Sequence, residues 1–177
     1  MQPTKRHHFE VSVARPARHR LCAMAVIAAA SLLTVSNSAL ATAAPTQGIK
    51  AFRLCTGSDN LSHVVRGTID QKAITEVSGL NFKESPPHAT YDWHAAPEAQ
   101  YVITLSGTLE FSTTGGENFV LHPGEVLLAQ DTTGPGHRWK LIDDQPWRRA
   151  YVILKQPDDG KGFIPREGSS NKGGCPD

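Results

Sequence analysis

Residues 91–137 read YDWHAAPEAQYVITLSGTLEFSTTGGENFVLHPGEVLLAQDTTGPGH. Short alternating runs are separated by turn signals: Ser106-Gly107, Gly115-Gly116, Pro123-Gly124 and Gly134-Pro135-Gly136. Aromatic and β-branched residues fill the runs, and the turns recur at a spacing of about 8–12 residues. Many short strands joined by Gly/Pro turns predict a sandwich or a barrel. His94 near the front and His137 at the back bracket the set.

Outward from this stretch, strands are expected over 49–54, 62–69, 74–82, 89–95, 100–106, 108–112, 118–121, 125–129, 137–141 and 147–154. Residues 156–177 are rich in Gly, Pro, Ser and charge and are expected to be loop. Side chains alternate across a strand. His137, Trp139 and Leu141 therefore share the inward face of their strand, and Arg138 and Lys140 point out. In 100–106 both faces are partly apolar, so both are expected to be covered. The second cover is either the N-terminal strands or a second subunit.

The first 43 residues read as a leader, not as domain. Lys5, Arg6, Arg15, Arg18 and Arg20 stand against one acid, Glu10, and precede the apolar run LCAMAVIAAASLLTV at 21–35. Small residues around Ala41 and Ala43 complete the pattern of a cleaved secretory signal. The run is shorter than the roughly 18–20 residues of a spanning helix. Export to the periplasm or beyond is expected, with no membrane attachment after cleavage. The domain plan is then leader 1–43, N-terminal strands and loops packing on a barrel at 44–84, barrel core 85–154 and tail 155–177.

Five of the 18 basic residues and one of the 17 acidic ones lie in the leader, leaving 13 against 16, a net charge of −3. That balance and the lack of a basic stripe disfavour nucleic acid and anionic membranes as partners. Cys22 leaves with the leader. Cys55 and Cys175 remain, and an even pair in an exported chain suggests a disulfide.

The residues resemble the cupin superfamily, an all-β double-stranded β-helix (jelly-roll barrel). The family's first motif is commonly G-x5-H-x-H-x3,4-E-x6-G, and its second is G-x5-P-x-G-x2-H-x3-N. Here Gly107 closes the first motif and Gln100 stands seven residues before it, where the family usually has Glu. His94 takes the second histidine place and Asp92 the first. Gly124, Pro135-Gly136 and His137 follow the second motif in shortened form, with no Asn near Leu141. The stretches WHAAP, YVITLSG, PGEVLLA and DTTGPGH are similar to a subgroup of bacterial single-domain cupins without assigned activity.

The resemblance implies one divalent metal (iron, manganese, nickel, copper or zinc), held here by Asp92, His94, Gln100 and His137. Two histidines and a carboxylate with open positions are the arrangement of non-haem iron. Glu98 is a reserve ligand, because counting forward from His94 also fits the family's glutamate. The alternative is a metal-free barrel in which Gln100 hydrogen-bonds the histidines. Trp139 and His88 are candidates to contact a substrate, and His122 is expected at the surface. No nucleophile elbow, P-loop or dinucleotide fingerprint is present. The expected function is binding of a small molecule in the barrel of an exported homodimer. The alternative is a metal-dependent dioxygenase or isomerase acting on a small oxygen-rich substrate. N-terminal sequencing of the exported protein should return Ala44 or Thr42 as the first residue; a retained Met1 would overturn the leader reading.

Overall fold

The structure, a computed structural model, describes residues 48–157, 161–169 and 175, so the leader lies outside the described residues. The alternating runs become β1 (Ile49–Thr56), β2 (Ser62–Ile69), β3 (Val77–Ser85), β4 (Thr90–His94), β5 (Gln100–Ser106) and β6 (Leu109–Thr113). They continue as β7 (Asn118–Leu121), β8 (Val126–Gln130), β9 (His137–Leu141), β10 (Trp147–Leu154) and β11 (Phe163–Pro165). No helix occurs among the described residues.

Seven strands form one sheet in the order β11-β2-β1-β8-β5-β10-β3, and four form the other, β4-β9-β6-β7. Pairing is antiparallel except between β1 and β8, which run parallel from Ala51↔Val126 to Cys55↔Gln130. The strands before residue 85 are thus members of the large sheet itself. β3 begins and ends three residues later than its composition suggests. Its register is set by β10, which pairs Trp147 with Ser85 and carries the strand up to Pro86.

Alternation sorts the side chains into two apolar layers. Phe52, Leu54, Val102, Leu109, Phe111, Phe119, Leu121, Leu127 and Trp147 fill the space between the sheets. Phe119 stacks on Phe52 at 4.5 Å and on Phe111 at 5.0 Å between ring centroids. Burying each such side chain contributes roughly 1.5–3 kcal/mol. The intervening residues Ala51, Cys55, Val65, Tyr101, Val126 and Leu128 form a second cluster on the outer face of the large sheet, with Phe163 and Cys175.

That outer cover corrects the expectation of a plain C-terminal loop. Phe163–Pro165 pairs with β2, placing Phe163 opposite Ile69, and Cys175 is bonded to Cys55. Two apolar residues flanked by Gly and charge were enough for a short edge strand, because the exposed edge of β2 offered backbone partners. The disulfide closes a separation of 120 residues with its Cα atoms 5.7 Å apart. In the chain-entropy account a loop of that length stabilises by about 5 kcal/mol. At the other end of the sheet the outer face is uncovered, and Leu80, Phe82 and Leu105 are 59%, 68% and 54% exposed.

A second polar knot holds the β6–β7 turn to the start of β2. His63 is buried, with Nδ1 at 2.9 Å from a Glu117 carboxylate oxygen and Nε2 at 2.9 Å from Asp59. Gly115 lies against the ring so closely that a Cβ there would collide with it. Burial opposes a charge on His63, but hydrogen bonds to Glu117 and Asp59 outweigh it and raise its pKa above 6.5. Glu117 is lowered: burial works against this, and hydrogen bonds from Thr113 and His63 overcome it. A raised histidine stabilises fully below its unfolded pKa and loses that contribution as pH climbs through the folded one. A lowered carboxylate does the reverse and loses its contribution in acid. The urea midpoint of His63→Gln should therefore fall furthest below wild type near about pH 6, and the gap should narrow by about pH 9. A gap that is constant over this range would contradict the paired, charged His63.

Candidate functional site

The inward faces of β4, β5, β8, β9 and β10 enclose a cavity of about 320 Å³. His94 ends β4 and His137 begins β9, and the two are directly opposite in the pairing. Their ring centroids lie 4.4 Å apart at an interplanar angle of 56°. This approach needs Gly136, whose φ is +71° and whose place against the His94 carbonyl leaves no room for a Cβ. That is the physical content of the Gly-Pro-Gly-His turn.

Each histidine is held from behind. His94 Nδ1 lies 2.7 Å from the Asp92 carbonyl oxygen, which only accepts, so Nδ1 carries the proton and Nε2 the lone pair. His137 Nδ1 lies 2.7 Å from Asp131 Oδ2, and the same oxygen accepts from Ser62 Oγ at 2.7 Å. Asp131 is fully buried. Neither Nε2 has a hydrogen-bond partner among the described residues. Burial holds the His94 pKa below its ordinary 6.5 and repulsion from His137 adds to this, while the Asp92 carbonyl and the Asp131 charge pull the other way. His94 is accordingly a neutral acceptor at pH 7.

The cavity wall includes four of the residues singled out from sequence: His94, His137, Gln100 and Trp139, with Glu98 exposed at the rim. Gln100 is buried, and its amide makes no hydrogen bond to either histidine among the described residues. Asp92 is a correction. Tyr91 pairs with Trp139 but His94 pairs with His137, so the strand carries one extra residue between them. This bulge breaks the alternation. Tyr91 and His94 face the cavity, whereas the Asp92 carboxylate accepts from the Trp93 backbone N–H and lines a separate outer groove with Arg138 and Lys140. His88 is a second correction. It sits at a surface turn with φ +60° and its Nε2 is 2.9 Å from Asp144, away from the cavity wall. His122 is exposed, as expected.

Two inward residues were not among the sequence candidates. Asp131, behind His137, continues the inward parity of Leu127 and Ala129. Arg149, in the cavity wall, shares the parity of Trp147 and Tyr151 on β10. It is buried and packs on the Trp147 ring at 3.7 Å.

A four-ligand metal centre does not fit these residues. Without Asp92 the convergent donors are two imidazoles and a neutral amide, and no group of three or more His, Cys, Asp or Glu capable of holding a metal occurs among the described residues. What the arrangement does offer is two anchored imidazoles, each open at Nε2, beside an apolar ring wall.

No protein-family profile matches the chain, and no curated protein does. Among solved structures, it is similar to an uncharacterized conserved protein with a double-stranded β-helix domain from Klebsiella pneumoniae subsp. pneumoniae MGH 78578, at 18% identity and a TM-score of 0.34. That match covers 55% of this chain and 87% of the other. It is also similar to a cupin 2 conserved barrel domain protein from Leptotrichia buccalis, at 13% identity and a TM-score of 0.34, over 63% of this chain and 44% of the other. Imidazole NMR should find His94 titrating below 6.5 and protonated on Nδ1 when neutral; a value above 6.5 would contradict its buried placement. By its own strand order and pairing, the chain has the all-β cupin-type double-stranded β-helix fold.

Proposed function

We propose that this chain is an exported barrel protein that binds a small organic molecule in its cavity. The observation that carries the reading is the pair of imidazoles, each anchored through Nδ1 with Nε2 unpartnered among the described residues, in the wall of a cavity large enough for a small ring compound. Cavities of this kind, mostly apolar with a few convergent polar groups, are where small ligands bind. The Cys55–Cys175 disulfide supports the export part of the reading, because such bonds persist in oxidising compartments. The uncovered apolar strip of Leu80, Phe82 and Leu105 supports a homodimer joined near β3.

The metal-dependent alternative draws on one feature. Histidines anchored through one nitrogen and free at the other are typical metal ligands. Two such groups without a carboxylate supply little charge to a dication.

Native mass spectrometry and elemental analysis of the untagged periplasmic protein separate the readings. The expected result is an organic adduct that is lost on denaturation and lost in the His94→Ala/His137→Ala double variant, with the β-sheet spectrum of that variant unchanged. Near-stoichiometric transition metal in wild type that disappears in the double variant would favour the enzyme instead. An adduct retained by the double variant would sink the assignment of these histidines.

A further inference from the structure

The histidine pair occupies one side of the cavity; Arg149 occupies another and has no role in holding the histidines. Its residue is 6% exposed, and its Nε donates to Tyr151 Oη at 2.8 Å. Nη1 donates to Ser85 Oγ at 3.0 Å and to the Trp147 carbonyl at 3.2 Å. Nη2 has no acceptor, and the guanidinium no carboxylate partner, among the described residues. The acid in the cavity wall, Glu98, is exposed at the rim and forms no ion pair with it.

A buried cation without a counter-charge is costly, and three hydrogen bonds to neutral groups compensate only in part. Those bonds do something else: they fix the plane of the fork. The side chain is clamped through Nε and Nη1 and packs on Trp147 at 3.7 Å, so the two N–H groups of Nη2 are held in place. A rigid guanidinium with Nη2 open gives an oxyanion a charge-assisted donor in a fixed direction. Lys83, also in the wall and 5.4 Å from the Tyr151 ring, adds positive potential on the same side.

The ring layer sets the rest of the ligand. Trp139 stands edge-on to Trp147 at 4.7 Å and stacks toward Tyr91 at 6.0 Å, and Tyr91 in turn meets His94 at 4.3 Å. Arg149 and the histidine pair are therefore joined by a continuous aromatic wall. A flat apolar body along that wall would place a negative group at one end and a hydrogen-bond donor at the other.

We propose that the cavity is a site for a small flat carboxylic acid, its carboxylate seated on Arg149 and its ring against Trp139. The proposal rests on the small-molecule reading above and narrows it to a ligand class. The probes are 4-hydroxybenzoate, whose hydroxyl can donate to a histidine Nε2, and its uncharged analogue 4-hydroxybenzamide, compared by calorimetry on the full mature chain. Wild type should bind the acid at least about 10-fold more tightly than the amide, the size of a charge-assisted contact. Arg149→Gln should erase that preference, and Arg149→Lys, which keeps the charge but not the fork, should retain part of it. The wild-type comparison needs no variant, so an unfolded Arg149→Gln would not rescue the proposal. Equal binding of the two probes by wild type, or a preference that survives in Arg149→Gln, would overturn it. If neither probe binds but the native adduct is present, the anion assignment falls and the small-molecule reading stands. If the adduct is also absent, both fall.

Discussion

The buried carboxylate of Asp131 is the interaction on which the site depends. One oxygen accepts from Ser62 on β2 and from His137 on β9, and its backbone carbonyl accepts from Ala96 just beyond β4. Both side-chain hydrogen bonds fall on Oδ2, and the buried Oδ1 has no partner among the described residues, so the group is held through one oxygen. Those bonds tie the edge of the small sheet to the large one at the point where the two histidines meet. The carboxylate fixes the protonated nitrogen of His137, and its charge reaches His94 as well. Without it His137 would lose its anchor, while His94 would keep its own on the Asp92 carbonyl; with it both imidazoles are held with Nε2 open to the same space.

The fold was legible because alternation is a strong signal in short strands, and turn residues mark where most of them end. His137-Arg138-Trp139-Lys140-Leu141 shows the inward face without help. The same rule, applied further, would have turned Asp131 and Arg149 inward, since each keeps step with apolar neighbours two residues away. The candidates followed the ligand positions of the resemblance, which include neither. Asp92 shows the opposite failure. Parity placed it beside His94, and a bulge between Tyr91 and His94 removed it. Nothing in YDWH announces the extra residue; it arises from the register between β4 and β9, which is a property of two strands together.

Long-range partners were hidden for the same reason. His63 could not be placed from its own strand, because Glu117 is 54 residues away and Asp59 belongs to a turn. The short strand at Phe163–Pro165 has too few residues to show a period. It becomes a strand because β2 leaves an edge open and the bond from Cys175 to Cys55 holds the tail nearby.

The cavity is electrically asymmetric, and this decides what it can do. One side carries two anchored imidazoles, one of them kept neutral by burial; the other carries a guanidinium that the fold has oriented and that no carboxylate among the described residues neutralises. A barrel built only to pack would have placed Leu or Met at Arg149, since replacing a buried charge by apolar side chains is often stabilising. This chain keeps the cation, with no carboxylate partner for it among the described residues and a neutral amide, Gln100, in the same wall; under the proposed reading the negative charge comes from what binds.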